Sequence, residues 1–169
     1  EFLPISSSGH LVLAKALFTE DLNQGIIFEV VVHFGTLCSI LVYYRDKVTG
    51  ILKSLIHFLS QPSSMKQKMK EDDNIPLSGY ILLSMLPAMV VGLTLEEWIE
   101  MHLMTPVMAS SMLLVTGLIL FFTRWVGKTL DTLNTSKSFT IGLAQALAII
   151  PGISRSGTTI ATGLYLGIE

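Results

Sequence analysis

Two short strings hold most of the residues that could do chemistry: Pro4-Ile5-Ser6-Ser7-Ser8-Gly9-His10 and Pro151-Gly152-Ile153-Ser154-Arg155-Ser156-Gly157-Thr158-Thr159. Each is a Ser/Gly-rich turn ahead of a stretch of small residues with helical character. A helix that opens at such a turn aims backbone N–H groups and hydroxyls at an anion. Ser6, Ser7, Ser8 and Gly9 form one cradle of this kind; Ser154, Ser156, Gly157, Thr158 and Thr159 form the other. Serine and glycine also act simply as small residues that let membrane helices pack closely, and that reading stays open at this level. Arg155 sits between two serines in the middle of an apolar segment, where a charge is costly and usually marks function. Its planar fork suits bidentate binding of phosphate or carboxylate. The structural alternative is an ion pair with a carboxylate such as Glu29. His10 follows Ser7 by three residues, which on a helix places imidazole and hydroxyl on one side, a pair able to form and protonate a covalent intermediate. Glu1 lies on the limb leading to the first turn and could hold a divalent cation or orient His10. Glu29 and His33 are four apart on one helical face, with ligand and packing roles both open.

The elements that must position these residues belong in lipid. Half the chain is apolar, 14% is charged, and the mean hydropathy is +0.61, too apolar for an ordinary soluble domain of this length. A net charge of −2 and the lack of a basic field exclude nucleic acid as a partner. Cys38 stands alone in an apolar stretch, so no disulfide framework or thiolate cluster exists, and it reads as a small buried hydrophobe. Residues 25–44, 77–95 and 107–126 are each long and apolar enough to cross a hydrocarbon core of about 30 Å as a helix. Pro87 is expected to kink the second, and Arg124 and Trp125 to anchor the end of the third at an interface. Residues 50–60 read as an interfacial helix and 61–76 as a polar loop.

Two further apolar segments are broken by the Ser/Gly turns. Residues 1–24 and 139–169 therefore read as re-entrant hairpins, because neither limb of the second is long enough to span and irregular backbone at membrane depth must line a polar cavity. The turns also resemble each other, a weak internal repeat. Lys and Arg collect between the first and second crossings and again after the third, while the loop between has three Glu and no Lys or Arg, so the loops run inside, outside, inside. The first hairpin then enters from outside and the second from the cytoplasm. The fold expected is an all-α polytopic membrane protein, one domain over residues 1–169, built as inverted-topology repeats whose re-entrant hairpins meet near the midplane. Half-helix N-termini converging there favour an anionic ligand. The chain reads as incomplete at both ends.

The strings EFLPISSSGH, FEVVVHFG and AQALAIIPGISRSGTT together closely resemble the bacterial undecaprenyl-diphosphate phosphatase family, also known for bacitracin resistance, and the match runs over essentially the whole chain. The resemblance implies a multi-pass enzyme of the bacterial cytoplasmic membrane, its site open to the periplasm. It would remove one phosphate from a C55 polyprenyl diphosphate to recycle the lipid carrier of cell-wall synthesis. By the same resemblance Ser7 is the nucleophile, His10 the catalytic histidine and Arg155 the phosphate-binding arginine, supported by Ser154, Ser156, Gly157, Thr159, Ser6 and Ser8. Glu1 would be the second acid of an E-x-x-x-E motif that holds Mg2+ or Ca2+, with its partner upstream of residue 1. Ser8 stands where a threonine is common, which keeps the hydroxyl. The implied partners are the lipid substrate and the membrane, with a homodimer left open. An inverted-repeat transporter or flippase for an anionic lipid is the alternative, and Ser7 beside His10 favours the enzyme. The other membrane lipid-phosphatase superfamily would need a histidine where Ala161 stands. An intramembrane serine protease would leave Arg155 without a purpose.

Overall fold

The structure, a computed structural model, describes residues 3–18, 22–60, 74–127 and 131–168. Among these the chain forms seven α-helices and no strand: α1 (Ser7–Phe18), α2 (Leu22–Tyr43), α3 (Arg45–Ser60), α4 (Asn74–Leu103), α5 (Pro106–Thr123), α6 (Thr135–Leu147) and α7 (Arg155–Tyr165). The all-helical class expected from the sequence is what the chain adopts.

Local chemistry sets several boundaries. Before α5, Thr105 is extended (φ −111°, ψ 148°), its hydroxyl accepts the Met108 N–H at 3.2 Å, and Pro106 occupies the first helical position, where its missing N–H has no intrahelical partner to lose. Asn134 caps α6 by accepting the Lys137 N–H at 2.9 Å. Past α5, the Arg124 guanidinium lies 5.5 and 5.2 Å from the Phe121 and Trp125 ring centroids, an aromatic and cationic cluster of the kind that sits at a membrane interface. Two elements differ from expectation. α3 begins at Arg45, not residue 50, because Val48 N–H reaches back to the Tyr44 carbonyl at 2.9 Å and one turn residue suffices after α2. α4, with Pro87 inside it, runs on past Leu95 to Leu103; glutamates end the apolar run but are good helix formers.

Helix packing divides the chain into two compact units, Asp21–Leu82 and Glu1–Glu20 with Leu83–Glu169. In the first, α2 packs on α3. In the second, α5 is the common seat: α1 and α7 both pack against it, and α6 packs against α7. Ser138, Gly142 and Ala146, four residues apart and buried, form the tight face of α6. A Cβ on Gly142 would overlap the Ser84 carbonyl of α4, so the two backbones are in contact there.

The polarity of this packing is the reverse of a water-soluble protein's. The buried apolar side chains are few and mostly alanine, whereas Ser6, Ser78, Thr116, Ser138, Ser154 and Thr158 are buried. Val30, Phe34 and Val42 on α2, Leu82, Val90 and Leu93 on α4, and Leu114, Leu118 and Phe122 on α5 are exposed. Asn74–Leu95 and Pro106–Thr123 are long and apolar enough to cross a membrane, and only 11% of either stretch is buried, so neither is the core helix of a soluble domain. Such apolar exteriors are stable in lipid, not in water. Cys38 belongs to this outer surface: it is exposed, not buried as the sequence suggested, because the apolar stretch around it faces outward instead of into protein.

Candidate active site at two helix-opening turns

Both Ser/Gly strings open a helix, and they do so with the same hydrogen bonds. At the first, Ser6 precedes α1 and its Oγ accepts the Gly9 N–H at 3.3 Å and lies 3.4 Å from Ser8 Oγ. The Ser6 carbonyl accepts the His10 N–H at 3.2 Å and His10 Nδ1 at 2.9 Å. At the second, Ser154 Oγ accepts the Gly157 N–H at 3.1 Å and lies 3.3 Å from Ser156 Oγ. The Ser154 carbonyl accepts the Thr158 N–H at 2.8 Å and the Thr158 hydroxyl at 2.7 Å. Ser6 therefore corresponds to Ser154, Ser7 to Arg155, Ser8 to Ser156, Gly9 to Gly157 and His10 to Thr158. Each cap satisfies part of the group of N–H donors that a helix start leaves without an intrahelical partner.

The two turns touch, and reciprocally. A Cβ added to Gly9 would lie 2.8 Å from Gly152 Cα, and one added to Gly157 would lie 3.1 Å from Pro4 Cβ. Pro4 and Gly152 are themselves equivalent, each two residues before its capping serine. Contacts that exchange equivalent residues in this way are the signature of a two-fold relation. Gly152 (φ +97°) is also pressed on α5, where a Cβ would overlap the Ala109 carbonyl and crowd Met112, so glycine is required there both for its backbone and for space. In the first turn the left-handed residue is Ser6 (φ 61°), a non-glycine held in a costly conformation beside the candidate nucleophile.

The capping serines and both glycines are buried, while Ser7, Ser8, His10 and Arg155 are exposed at the turns. The carbonyl of Ser6 can only accept, so His10 Nδ1 is the donor in that bond and Nε2 is left for other partners. Among the described residues the ion pairs are Arg45 with Asp46 and Lys137 with Asp131, and Arg155 is in neither. Thr159 turns its hydroxyl onto the carbonyls of Arg155 (2.9 Å) and Ser156 (3.2 Å). The second hairpin is closed at its base, away from the turn, by Asp131, whose N–H donates to the Gly167 carbonyl at 2.9 Å and whose carboxylate accepts from Lys137. The Lys137 hydrogen bond, then the Thr132 N–H, holds the Asp131 carboxyl below its ordinary range.

Glu1 lies outside the described residues, and so does the side chain of Glu29; His33 is exposed on α2, in the other unit. The oxygens that the turns offer, hydroxyls and carbonyls, are of the hard type that Mg2+ or Ca2+ takes. No group of three or more His, Cys, Asp or Glu able to hold a metal occurs among the described residues. One residue of the site escapes sequence reasoning: Thr116 of α5, 3% exposed, donates to the Gly152 carbonyl at 3.0 Å and accepts the Ser154 N–H at 3.1 Å. The available signal is a lone hydroxyl inside an apolar helix.

An all-helical chain with a membrane protein's surface, carrying two matched helix starts set against each other, is the class that fold and site define. The family model of the bacitracin resistance protein BacA matches residues 1–169, and the chain belongs to that family. It is 39% identical over 169 residues to an undecaprenyl-diphosphatase of Salinibacter ruber, covering 99% of this chain and 63% of the relative. It is 40% identical over 172 residues to undecaprenyl-diphosphatase 1 of Pseudoalteromonas translucida, covering 100% and 62%. The undecaprenyl-diphosphatase of Desulforapulum autotrophicum is 37% identical over 175 residues, covering 100% and 63%. The chain thus spans under two thirds of the length of these relatives.

Proposed function

We propose that this chain carries the active site of an undecaprenyl-diphosphate phosphatase, which hydrolyses the C55 polyprenyl diphosphate to its monophosphate and inorganic phosphate. The observation that carries the reading is the reciprocal contact of two helix starts capped through the same hydrogen bonds, one bearing Ser7 and His10 and the other Arg155. Ser7 Oγ attacks the terminal phosphorus, the O–P bond forms, and the bond to the polyprenyl phosphate breaks. His10, one helical turn on, takes the serine proton at Nε2 and returns it as water cleaves the phosphoserine to release phosphate. Arg155 and the N–H groups at the start of α7 bind the non-bridging oxygens, where charge concentrates in the transition state. Glu1 would hold a divalent cation, Mg2+ or Ca2+, which supplies further charge neutralisation when bound.

The same reading makes the protein a multi-pass one of the bacterial cytoplasmic membrane, with α2, α4 and α5 as crossings and the turns entering from opposite faces as inverted repeats, the site open to the periplasm. The Lys/Arg asymmetry between loops supports this orientation, and the two-fold pattern of contact supports the repeat.

Arg155→Lys and Arg155→Ala test the reading in the full-length protein, with phosphate release from a polyprenyl diphosphate normalised to inserted protein. Lysine keeps the charge but loses the fork. Each lost charge-assisted hydrogen bond removes roughly 1.5–3 kcal/mol, or about one to two decades of rate. The lysine variant is expected to insert yet lose most activity, with alanine worse. Wild-type kinetics in the lysine variant would reduce Arg155 to a counter-charge and move the substrate elsewhere. Transmembrane lipid flux without phosphate release would establish a flippase instead.

A further inference from the structure

We propose that Thr116 is a positioning residue, whose buried hydroxyl fixes the backbone from which Arg155 departs. The inference rests on the reading of Arg155 as the diphosphate clamp and deepens it. A threonine or serine inside a helix usually returns its hydroxyl to a carbonyl of the preceding turn. Thr36, Ser39, Ser78, Thr94, Ser110, Ser111, Thr140 and Thr162 all do so, each to the carbonyl four residues back. Thr116 does not: its hydroxyl leaves α5 and bridges two peptide groups of the second turn, donating to the Gly152 carbonyl and accepting from Ser154 N–H.

The non-helical backbone between α6 and α7 needs those bonds. The Ile153 N–H finds the Ile150 carbonyl at 3.1 Å, and the Ser154 carbonyl takes two donors from Thr158. The Gly152 carbonyl and the Ser154 N–H are two further polar groups of this buried stretch, and one hydroxyl serves both. A single atom thereby locks the residue at φ +97° to the residue that caps α7. Arg155 is the next residue, and its Cα cannot shift along α5 without breaking one of the two bonds. The seat is shared, since the same face of α5 presents Leu113 to Gly9 of the first turn.

A double-mutant cycle in the full-length protein tests this. Thr116→Val keeps the shape and removes the hydroxyl; Thr116→Ser keeps the hydroxyl. With Arg155 present, valine should lower kcat/KM for a polyprenyl diphosphate by about 10- to 100-fold, while serine stays within about threefold of wild type. In an Arg155→Ala background the valine change should cost less than about threefold, because a residue acting through Arg155 has nothing left to position. If the valine chain does not accumulate in the membrane, Thr116→Cys, a weak donor of similar volume, takes its place with the same outcomes. Equal losses in both backgrounds, no loss in either, or serine no better than valine would overturn the proposal while leaving the phosphatase reading intact. Full activity of Arg155→Ala itself would overturn both.

Discussion

Gly9→Ala adds one methyl group at the point where the two turns meet. The new Cβ would lie 2.8 Å from Gly152 Cα and 3.2 Å from both Leu113 Cγ and Ser6 Oγ. Carbon atoms in ordinary contact stand about 3.5–4.0 Å apart, so the turns must separate by about 0.7–1.2 Å. Gly152 cannot retreat, because its own backbone already rests on Ala109 and Met112. Overpacking of this kind costs about 1–3 kcal/mol. Part of that is offset, since alanine is the better helix former by about 1 kcal/mol. The net cost is therefore about 0–2 kcal/mol, and the variant should still fold and insert. Activity should not be spared: displacing a catalytic group by about 1 Å costs on the order of 10²-fold. The assay is phosphate release from a polyprenyl diphosphate by the full-length variant in detergent, normalised to inserted protein, beside its melting temperature. Gly92→Ala and Gly117→Ala are the controls, since a Cβ at either meets nothing within 4 Å; both should retain wild-type rates. A Gly9→Ala enzyme with kcat/KM within about twofold of the controls would mean that catalysis does not need the two turns in contact.

Replacing His10 with Ala should slow turnover by about 10²- to 10⁴-fold and Ser7 with Ala at least as much; near-normal turnover without Ser7 would make a bound water the nucleophile. Asp131 has its carboxyl pKa lowered mainly by Lys137, so its stabilising effect is complete above the ordinary carboxylate value of about 3.9 and vanishes as pH falls through the folded value. The melting-temperature gap between wild type and Asp131→Asn should accordingly be constant near neutrality, close below about pH 4, and stay small throughout because the carboxylate is open to solvent; a gap that widens on acidification would contradict the assignment. Single cysteines at Lys68 and Glu100, in a chain carrying Cys38→Ser, should react with impermeant reagent from opposite sides of the membrane, and labelling of both from one side would end the inverted-repeat reading.

What could be read in advance was local, and what could not was a choice between partners. The serines that cap α1 and α7 were legible because a capping side chain bonds to an N–H three residues ahead, inside one short string. Thr105 before Pro106 marks the start of α5 for the same reason. The ends of α4 were not legible from hydropathy, which registers where lipid stops and not where helical hydrogen bonds stop; Glu97 and Trp98 continue the helix outside the apolar stretch. Thr116 was hidden more deeply. In sequence it is one more hydroxyl in an apolar run, like Thr94, which bonds to its own helix at Val90. Only the arrival of the second turn on α5 offers Thr116 different partners, and that arrival depends on Gly152 leaving no side chain in the way.

The equivalence of the turns explains how one scaffold could support two opposite roles. A helix start is a favourable seat for an anion whatever side chain its first residue carries. In α1 that residue is Ser7 and in α7 it is Arg155; the residue three further on is His10 in one and Thr158 in the other, each bonded to the carbonyl of its capping serine. The capping hydrogen bonds are thus common to both copies, and the side chains that differ between them are those at the first and fourth helical positions. On the proposed reading, one copy supplies the nucleophile and its base, which need a lone pair, and the other supplies fixed positive charge, which would suppress a base placed on the same turn by lowering its affinity for a proton. On that reading, dividing them between two helix starts lets both serve one phosphate while keeping His10 and Arg155 on separate turns. That separation depends on the close approach of Gly9 to Gly152 and of Gly157 to Pro4, so the four small or rigid residues at the contact matter to the chemistry as much as the residues that perform it.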